Sequence, residues 1–107
     1  MAKTFYITTP IYYPSAKPHM GHAYSSIIAD FFARFKRMDG FDVQFLTGTD
    51  EHGLKIQRSA EKQNIDPLEF CNQISKTFRD LSQTLNLTNT DFIRTTEDRH
   101  KKTVQHL

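Results

Sequence analysis

The sequence predicts an α/β fold that opens with a strand, a helix and a second strand. Residues 5–9 (FYITT) are rich in aromatic and β-branched side chains and are stopped by Pro10. Apolar residues then recur at helical spacing from Gly21, and residues 41–47 (FDVQFLT) form a second strand-like run. Strands joined through a helix pair in parallel. Because two parallel strands leave unpaired edges, we expect the leading, incomplete part of a larger α/β domain.

The first predicted helix begins at Gly21 and presents one wide apolar face. Its last turn is basic, with Lys36 and Arg37, and Gly40 stands where a helix commonly ends. The prolines within residues 10–18 exclude regular pairing and predict a loop before this helix. The apolar face consists of Tyr24, Ile27, Ile28, Phe31, Phe32 and Phe35.

Two further helices are predicted after the second strand. Residues 54–63 are compatible with a short helix that stops at Asn64. A longer helix follows, because Asp66, Pro67 and Glu69 supply an N-cap, a first-turn proline and an acid at the third position.

The end of the chain predicts a domain boundary. The long helix ends in a polar turn over residues 86–91, and Thr95 with Asp98 forms a capping box for a last helix. We therefore assign residues 1–94 to the N-terminal half of the α/β domain. We expect residues 95–107 to be the start of a following, truncated helix.

Composition narrows the class of protein. The net charge is only +2, from 14 Lys and Arg against 12 Asp and Glu, which is too weak to argue for nucleic-acid binding. The single cysteine, Cys71, excludes an internal disulfide and a multi-cysteine zinc site within this span. Neither an apolar signal segment nor a membrane-spanning run is visible. We expect a soluble, cytoplasmic protein without a membrane partner.

The tetrad His19, Met20, Gly21 and His22 predicts a nucleotide site at the start of the first helix. A helix N-terminus offers free N–H groups and the positive end of the helix dipole, so phosphate is the natural ligand. Two imidazoles can add donors on one side of that phosphate, and Gly21 leaves room for a base or ribose. The alternatives are that both histidines only cap the helix or face solvent, or that they bind zinc, for which further ligands are not evident.

A second cluster, TGTDEHG, follows the second predicted strand and contains Asp50 and His52. Ligands collect beyond the carboxyl ends of parallel strands, where Asp50 can pair with a ligand ammonium group. The alternative, favoured for Asp50 taken alone, is that it caps the helix that starts near Gly53. The loop residues 10–13 either line an apolar side-chain pocket or cover the core.

The C-terminal charges predict a solvated helix face, with RNA contact as the less favoured alternative. Glu97 and Asp98 interrupt the basic residues. The basic residues are Arg94, Arg99, His100, Lys101 and Lys102.

Three segments together resemble the N-terminal part of the bacterial methionyl-tRNA synthetases, which are class I aminoacyl-tRNA synthetases. They are TTPIYYPSAKPHMGHAY, FLTGTDEHG and DFIRTTEDRHKK, and the resemblance continues over essentially the whole chain. Met20 stands in place of the isoleucine in the family's His-Ile-Gly-His signature. The resemblance implies the first part of a Rossmann-like parallel nucleotide-binding fold. It also implies that Mg-ATP activates methionine to methionyl-adenylate, and that methionine is then transferred to tRNA(Met).

The resemblance also implies residue roles. His19 and His22 would be catalytic and would bind the ATP phosphates, with Gly21 beside the adenosine. Mg²⁺ would arrive with ATP as substrate, and no metal site is expected in this span. tRNA(Met) would be contacted mostly by regions outside it. The residues implied for methionine binding are Ile11, Tyr13, Asp50 and His52.

The chain departs from the family's pattern by lacking the second signature, Lys-Met-Ser-Lys-Ser, the cysteine-rich knuckle and the anticodon-binding domain. We therefore expect the 107-residue chain alone to be inactive. Two alternatives remain open. One is another nucleotidyltransferase with the same tetrad, which leaves TGTDEHG without a role. The other is a truncated or degenerate non-catalytic paralogue.

Overall fold

The centre of the fold is a parallel sheet of three strands in the order β1-β2-β3, as seen in a computed structural model that describes residues 2–107. The predicted α/β class is confirmed. Met1, the first residue of the predicted domain, lies outside the described residues. The strands are β1 (Thr4–Thr8), β2 (Asp42–Thr49) and β3 (Asp91–Arg94). The helices are α1 (Met20–Met38), α2 (Leu54–Lys62), α3 (Pro67–Thr84) and α4 (Asp98–His106).

The predicted strand–helix–strand unit is β1, α1 and β2, with its bounds shifted by one or two residues. β1 pairs with β2 in parallel, with Thr4 opposite Asp42. α1 begins at Met20, one residue before the predicted start. Gly40 ends this helix as predicted, with a left-handed φ of 85° and its N–H donating to the Arg37 carbonyl oxygen.

The wide apolar face of α1 does not lie against the sheet within the described part of the chain. The helix instead packs its small residues Ala29 and Ala33 on Val43 and Phe45 of β2. Small side chains allow the helix backbone to approach the strands closely, and the larger residues are left on the exposed side. Phe31, for example, is 63% exposed. Hydrophobic spacing therefore identified the helix but not the face that contacts β2.

The third strand, β3, was missed because it has only four residues and a charged residue at each end. Such a segment is too short to show the alternation that marks a strand. β3 pairs in parallel with β2, with Leu46 opposite Asp91 and Thr49 opposite Arg94. This pairing carries β2 to Thr49, two residues beyond its predicted end.

α2 and α3 pack together around a second core formed by Ile56, Ala60, Phe70 and Cys71. The predicted cap of α3 is confirmed, since Asp66 Oδ2 accepts a hydrogen bond from the Leu68 N–H at 3.1 Å. Within residues 2–107, no helix combines the length and apolar character that crossing a membrane requires.

The predicted capping box of α4 is wrong. The N-cap residue is Glu97, two positions later than predicted. The Thr95 hydroxyl instead accepts a hydrogen bond from the Glu51 N–H at 2.7 Å. The Thr95 side chain therefore makes a long-range hydrogen bond to Glu51 and does not cap α4. The division between residues 1–94 and 95–107 stays a prediction.

Candidate active site

His19 and His22 close the N-terminus of α1 through a reciprocal pair of hydrogen bonds. The Gly21 N–H donates to Nδ1 of His19, and the His19 N–H donates to Nδ1 of His22, each at 3.0 Å. A ring nitrogen that accepts a hydrogen bond carries no proton, so each neutral ring carries its proton on Nε2. The histidines do cap the helix, as one alternative held. Each ring nevertheless keeps an Nε2–H donor that the capping does not use.

Gly21 lets the His19 ring fold back over the helix terminus. A Cβ atom at Gly21 would lie 2.8 Å from Cε1 and 3.1 Å from Nδ1 of His19, too close for the ring to stay in place. The two imidazole centroids are 3.9 Å apart. The two rings therefore stand side by side at the end of α1 where the dipole is positive.

His22 lies against two buried aromatic rings. Its ring centroid is 4.8 Å from that of Tyr12 and 5.0 Å from that of Phe78 in α3, both in edge-on geometry. Burial, and then the neighbouring charge of His19, lower the pKa of His22 below its ordinary value. His22 is therefore held as a neutral donor at physiological pH.

Asp50 directly follows β2, and its N–H donates to the carbonyl oxygen of Tyr12 at 2.8 Å. It does not cap α2, because the N-cap residue is Gly53 and no side-chain cap hydrogen bond is formed there. The alternative that Asp50 is only a helix cap is therefore excluded. None of the salt bridges within residues 2–107 uses the Asp50 carboxylate.

A cleft of about 330 Å³ opens beside the two histidines. Tyr13 lines it, and the Tyr13 hydroxyl approaches Gly53 so closely that a Cβ atom there would lie 2.2 Å from it. Lys17 and Lys55 also line this cleft, and their positive charges suit a phosphate ligand. Sequence reasoning did not single out these two lysines. Their positions beside the tetrad and just after TGTDEHG were the available signal.

The other predicted methionine-binding residues lie apart from this cleft. Ile11 is 40% exposed. His52 lines a different cavity of about 300 Å³ with Glu51, and its Nε2 is 3.3 Å from the Thr95 carbonyl oxygen. The structure therefore brings Tyr13 to the histidines and places Asp50 one backbone hydrogen bond from Tyr12. It turns His52 toward the segment after β3. Another cavity, of about 410 Å³, contains none of the predicted site residues.

Sequence reasoning missed the buried carboxylate next to Asp50. Glu51 is fully buried in its side chain and pairs with Arg94 of β3. The Thr49 and Thr96 hydroxyls also donate to it, at 2.5 and 2.8 Å. Burial opposes ionisation of Glu51, but the hydrogen bonds from Arg94, Thr49 and Thr96 outweigh it and lower its pKa. The placement of Arg94 on a solvated helix face was therefore wrong.

Within the described residues, no group of three or more His, Cys, Asp or Glu side chains is placed to hold a metal ion. The zinc alternative for His19 and His22 gains no further ligand from these residues.

The parallel sheet, with imidazole donors at the first helix and a carboxylate after β2, has the arrangement of an open α/β nucleotide-binding fold, in which ligands lie beyond the carboxyl ends of the strands. The family described as tRNA synthetases class I (M) matches residues 5–107. The chain belongs to this family, the methionyl-tRNA synthetases, as the resemblance implied.

Relatives and solved structures agree on this family. The chain is 58% identical over 104 residues to the Methionine--tRNA ligase of Rickettsia conorii, and 57% identical over 104 residues to the mitochondrial Methionine--tRNA ligase of Takifugu rubripes. Each match covers 97% of the chain, but only 20% and 18% of the relative. The crystal structure of Mycobacterium tuberculosis methionyl-tRNA synthetase bound by methionyl-adenylate superposes with a TM-score of 0.92 and 46% identity, covering 94% of this chain and 20% of that one. The chain thus spans about a fifth of the length of the relatives it matches.

Proposed function

We propose that the chain supplies the ATP- and methionine-binding front of a methionine–tRNA ligase. One observation carries the proposal: Tyr12 contacts both His22 at the helix terminus and Asp50 at the end of β2. The His22 imidazole, a donor suited to phosphate, and the Asp50 carboxylate, which is suited to an ammonium group, therefore both lie next to Tyr12. The relatives named Methionine--tRNA ligase and the methionyl-adenylate complex of a structural neighbour support the same reaction.

In this proposal, His19 and His22 bind the ATP phosphates through their Nε2–H donors, and the adenosine lies beside Gly21. The donors are already oriented by the capping hydrogen bonds. Such donors stabilise the charge that builds on the α-phosphate under attack, because little reorganisation is needed at that moment. Mg²⁺ enters as part of the substrate Mg-ATP.

The methionine site is proposed to contain Asp50, with its carboxylate against the substrate ammonium group. Ile11 and Tyr13 would contribute to the side-chain pocket. His52 would support the site from the side of Thr95, which it contacts. The methionine carboxylate oxygen then attacks the α-phosphorus, the bond to the β-phosphate oxygen breaks, and pyrophosphate leaves. No covalent protein nucleophile is required, so the rate enhancement comes from positioning the substrates and from stabilising charge in the transition state.

Transfer of methionine to the terminal ribose of tRNA(Met) is proposed as the second step. It relies mostly on regions outside these residues. We also propose a cytoplasmic location, although one relative is mitochondrial.

Methionine-dependent ATP–pyrophosphate exchange tests the proposal, measured in a synthetase of the relatives' length that carries this segment. His22→Ala and Asp50→Ala should each reduce exchange by about 100-fold or more, because each removes a group that contacts substrate. Asp42→Ala and His106→Ala are matched controls at exposed positions and should leave exchange unchanged. Full activity in either site variant would contradict the assigned roles. Exchange that does not need methionine would favour another nucleotidyltransferase.

The isolated 107-residue chain is expected to show no exchange activity. Calorimetry of the same chain with ATP and with methionine separates two explanations. Saturable binding of both would indicate a preformed site, as in a fragment of an active synthetase or a non-catalytic binding paralogue. No binding would indicate that the site needs further residues.

A further inference from the structure

We propose that Tyr12 is a positioning residue that holds the phosphate-binding end of α1 and the ammonium-binding carboxylate in one fixed relation. This rests on the function proposed above. Tyr12 is 8% exposed, although it belongs to a loop in which the neighbouring Ile11 is 40% exposed. Its side chain and its backbone contact two different parts of the site.

The hydroxyl of Tyr12 anchors the first turn of α1. It lies 2.9 Å from the Ser26 hydroxyl and donates to the His22 carbonyl oxygen at 3.3 Å. When Ser26 donates to Tyr12, the Tyr12 proton is left for that carbonyl oxygen. The phenol thus fixes the backbone of the residue whose imidazole is assigned to phosphate.

The ring of Tyr12 also fixes the His22 imidazole. Tyr12 stacks on Phe78 with centroids 5.8 Å apart, and both rings meet the His22 ring edge-on. Two aromatic contacts and the hydrogen bond from the His19 N–H therefore limit the orientation of the His22 ring.

The backbone of Tyr12 anchors the other half of the site. Its N–H donates to the Gly48 carbonyl oxygen at 2.9 Å, and its carbonyl oxygen accepts from the Asp50 N–H at 2.8 Å. Tyr12 forms an isolated parallel bridge with Thr49 in this way. The position of Asp50 is therefore tied to the same residue that fixes His22.

The consequence concerns the distance between the two reacting groups. Adenylate formation requires the methionine carboxylate to reach the α-phosphorus within about 3–3.5 Å, and a misplacement of about 1 Å can cost about 100-fold in rate. If Asp50 holds the ammonium group and His22 holds the phosphates, Tyr12 sets that separation without contacting either substrate.

Tyr12→Phe tests this, because it removes one oxygen and keeps the ring and the backbone hydrogen bonds. In a synthetase of full length, we expect the kcat of pyrophosphate exchange to fall by about tenfold, and the KM for methionine to stay within about twofold. Ser26→Ala should shift kcat in the same direction by less. Tyr6→Phe is the matched control, because Tyr6 is 63% exposed. An unchanged kcat in Tyr12→Phe would overturn the proposal, as would parallel changes in kcat, KM and the urea midpoint.

Nuclear magnetic resonance of the 107-residue chain gives a readout that does not need activity. Tyr12→Phe should move the ring signals of His22 and the amide signal of Asp50 together, whereas Tyr6→Phe should move neither. Movement of the His22 signals alone would overturn the coupling. A wild-type synthetase without methionine-dependent exchange would contradict the proposed function, and this spectrum would still decide whether Tyr12 links the two groups.

Discussion

Arg94 donates two hydrogen bonds to the buried carboxylate of Glu51, from Nε to Oε2 at 2.7 Å and from Nη2 to Oε1 at 2.8 Å. The pair joins β3 to the segment that follows β2. Because Glu51 adjoins Asp50, the ion pair fixes the backbone that presents the carboxylate proposed to bind the substrate ammonium group. A bidentate pair of this kind is directional as well as strong.

Arg94→Ala should lower the free energy of unfolding by about 3–5 kcal/mol, since it leaves a buried carboxylate without its charge partner. Arg94→Lys should lower it less, because the lysine ammonium group keeps a positive charge beside Glu51, although it cannot replace two parallel donors. Urea unfolding of the chain measures the change. Arg58→Ala, at an exposed position of α2, is the control and should shift the midpoint little. An unchanged midpoint in Arg94→Ala would show that the pair adds nothing to stability.

The stability of the chain should fall on acidification, and Glu51 should account for part of the fall. Burial alone would raise the pKa of Glu51. The hydrogen bonds from Arg94, Thr49 and Thr96 outweigh this effect, so the folded-state pKa lies below the unfolded value. The unfolded state therefore binds the proton more tightly. The stabilisation is complete above the unfolded pKa and is lost as pH falls through the folded pKa. Urea unfolding between about pH 7 and pH 3 should show a shallower loss in Glu51→Gln than in wild type. An equal loss of stability with falling pH in Glu51→Gln and in wild type would contradict this role of Glu51.

His19 and His22 should both be Nε2–H tautomers. Long-range nitrogen–proton correlation spectra of the chain distinguish the two tautomers directly, and His106 in α4 provides an exposed comparison. Because the pKa of His22 is lowered, its ring should also titrate below about 6.5. The folded state then binds this proton less tightly than the unfolded state. The contribution of His22 to stability is thus present above the unfolded pKa and falls as pH drops through the folded one. A proton on Nδ1 of either ring would contradict the capping geometry.

The sequence predicted those features that depend on interactions between residues close together in the chain. The α1 terminus, the Gly40 stop and the Asp66 cap each depend on residues a few positions apart, so the sequence showed them directly. The Glu51–Arg94 pair joins residues 43 positions apart, and β3 is too short for a periodic signal. Tyr12 was indistinguishable from Ile11 and Tyr13 because burial within a loop depends on tertiary contacts. In α1, the face that contacts the sheet was determined by Ala29 and Ala33, which are weak signals beside six large apolar residues.

Gly21→Ala and Gly40→Ala should separate the role of the tetrad from the stability of α1. Alanine at Gly21 favours the helix by up to about 1 kcal/mol, but its Cβ atom displaces the His19 ring and removes a cap of about 1 kcal/mol. The free energy of unfolding should therefore change by less than about 1 kcal/mol, whereas exchange in the full-length enzyme should fall by about tenfold or more.

Gly40→Ala should behave in the opposite way. Its φ of 85° strains an alanine by about 1–2 kcal/mol, although no atom lies within 4 Å of the added Cβ. Stability should fall and exchange should persist below the unfolding transition. If Gly21→Ala retained both the hydrogen bond to Nδ1 of His19 and full exchange, Gly21 would have no role in orienting that imidazole. If both variants lost stability and exchange alike, the tetrad would act only through the folding of α1.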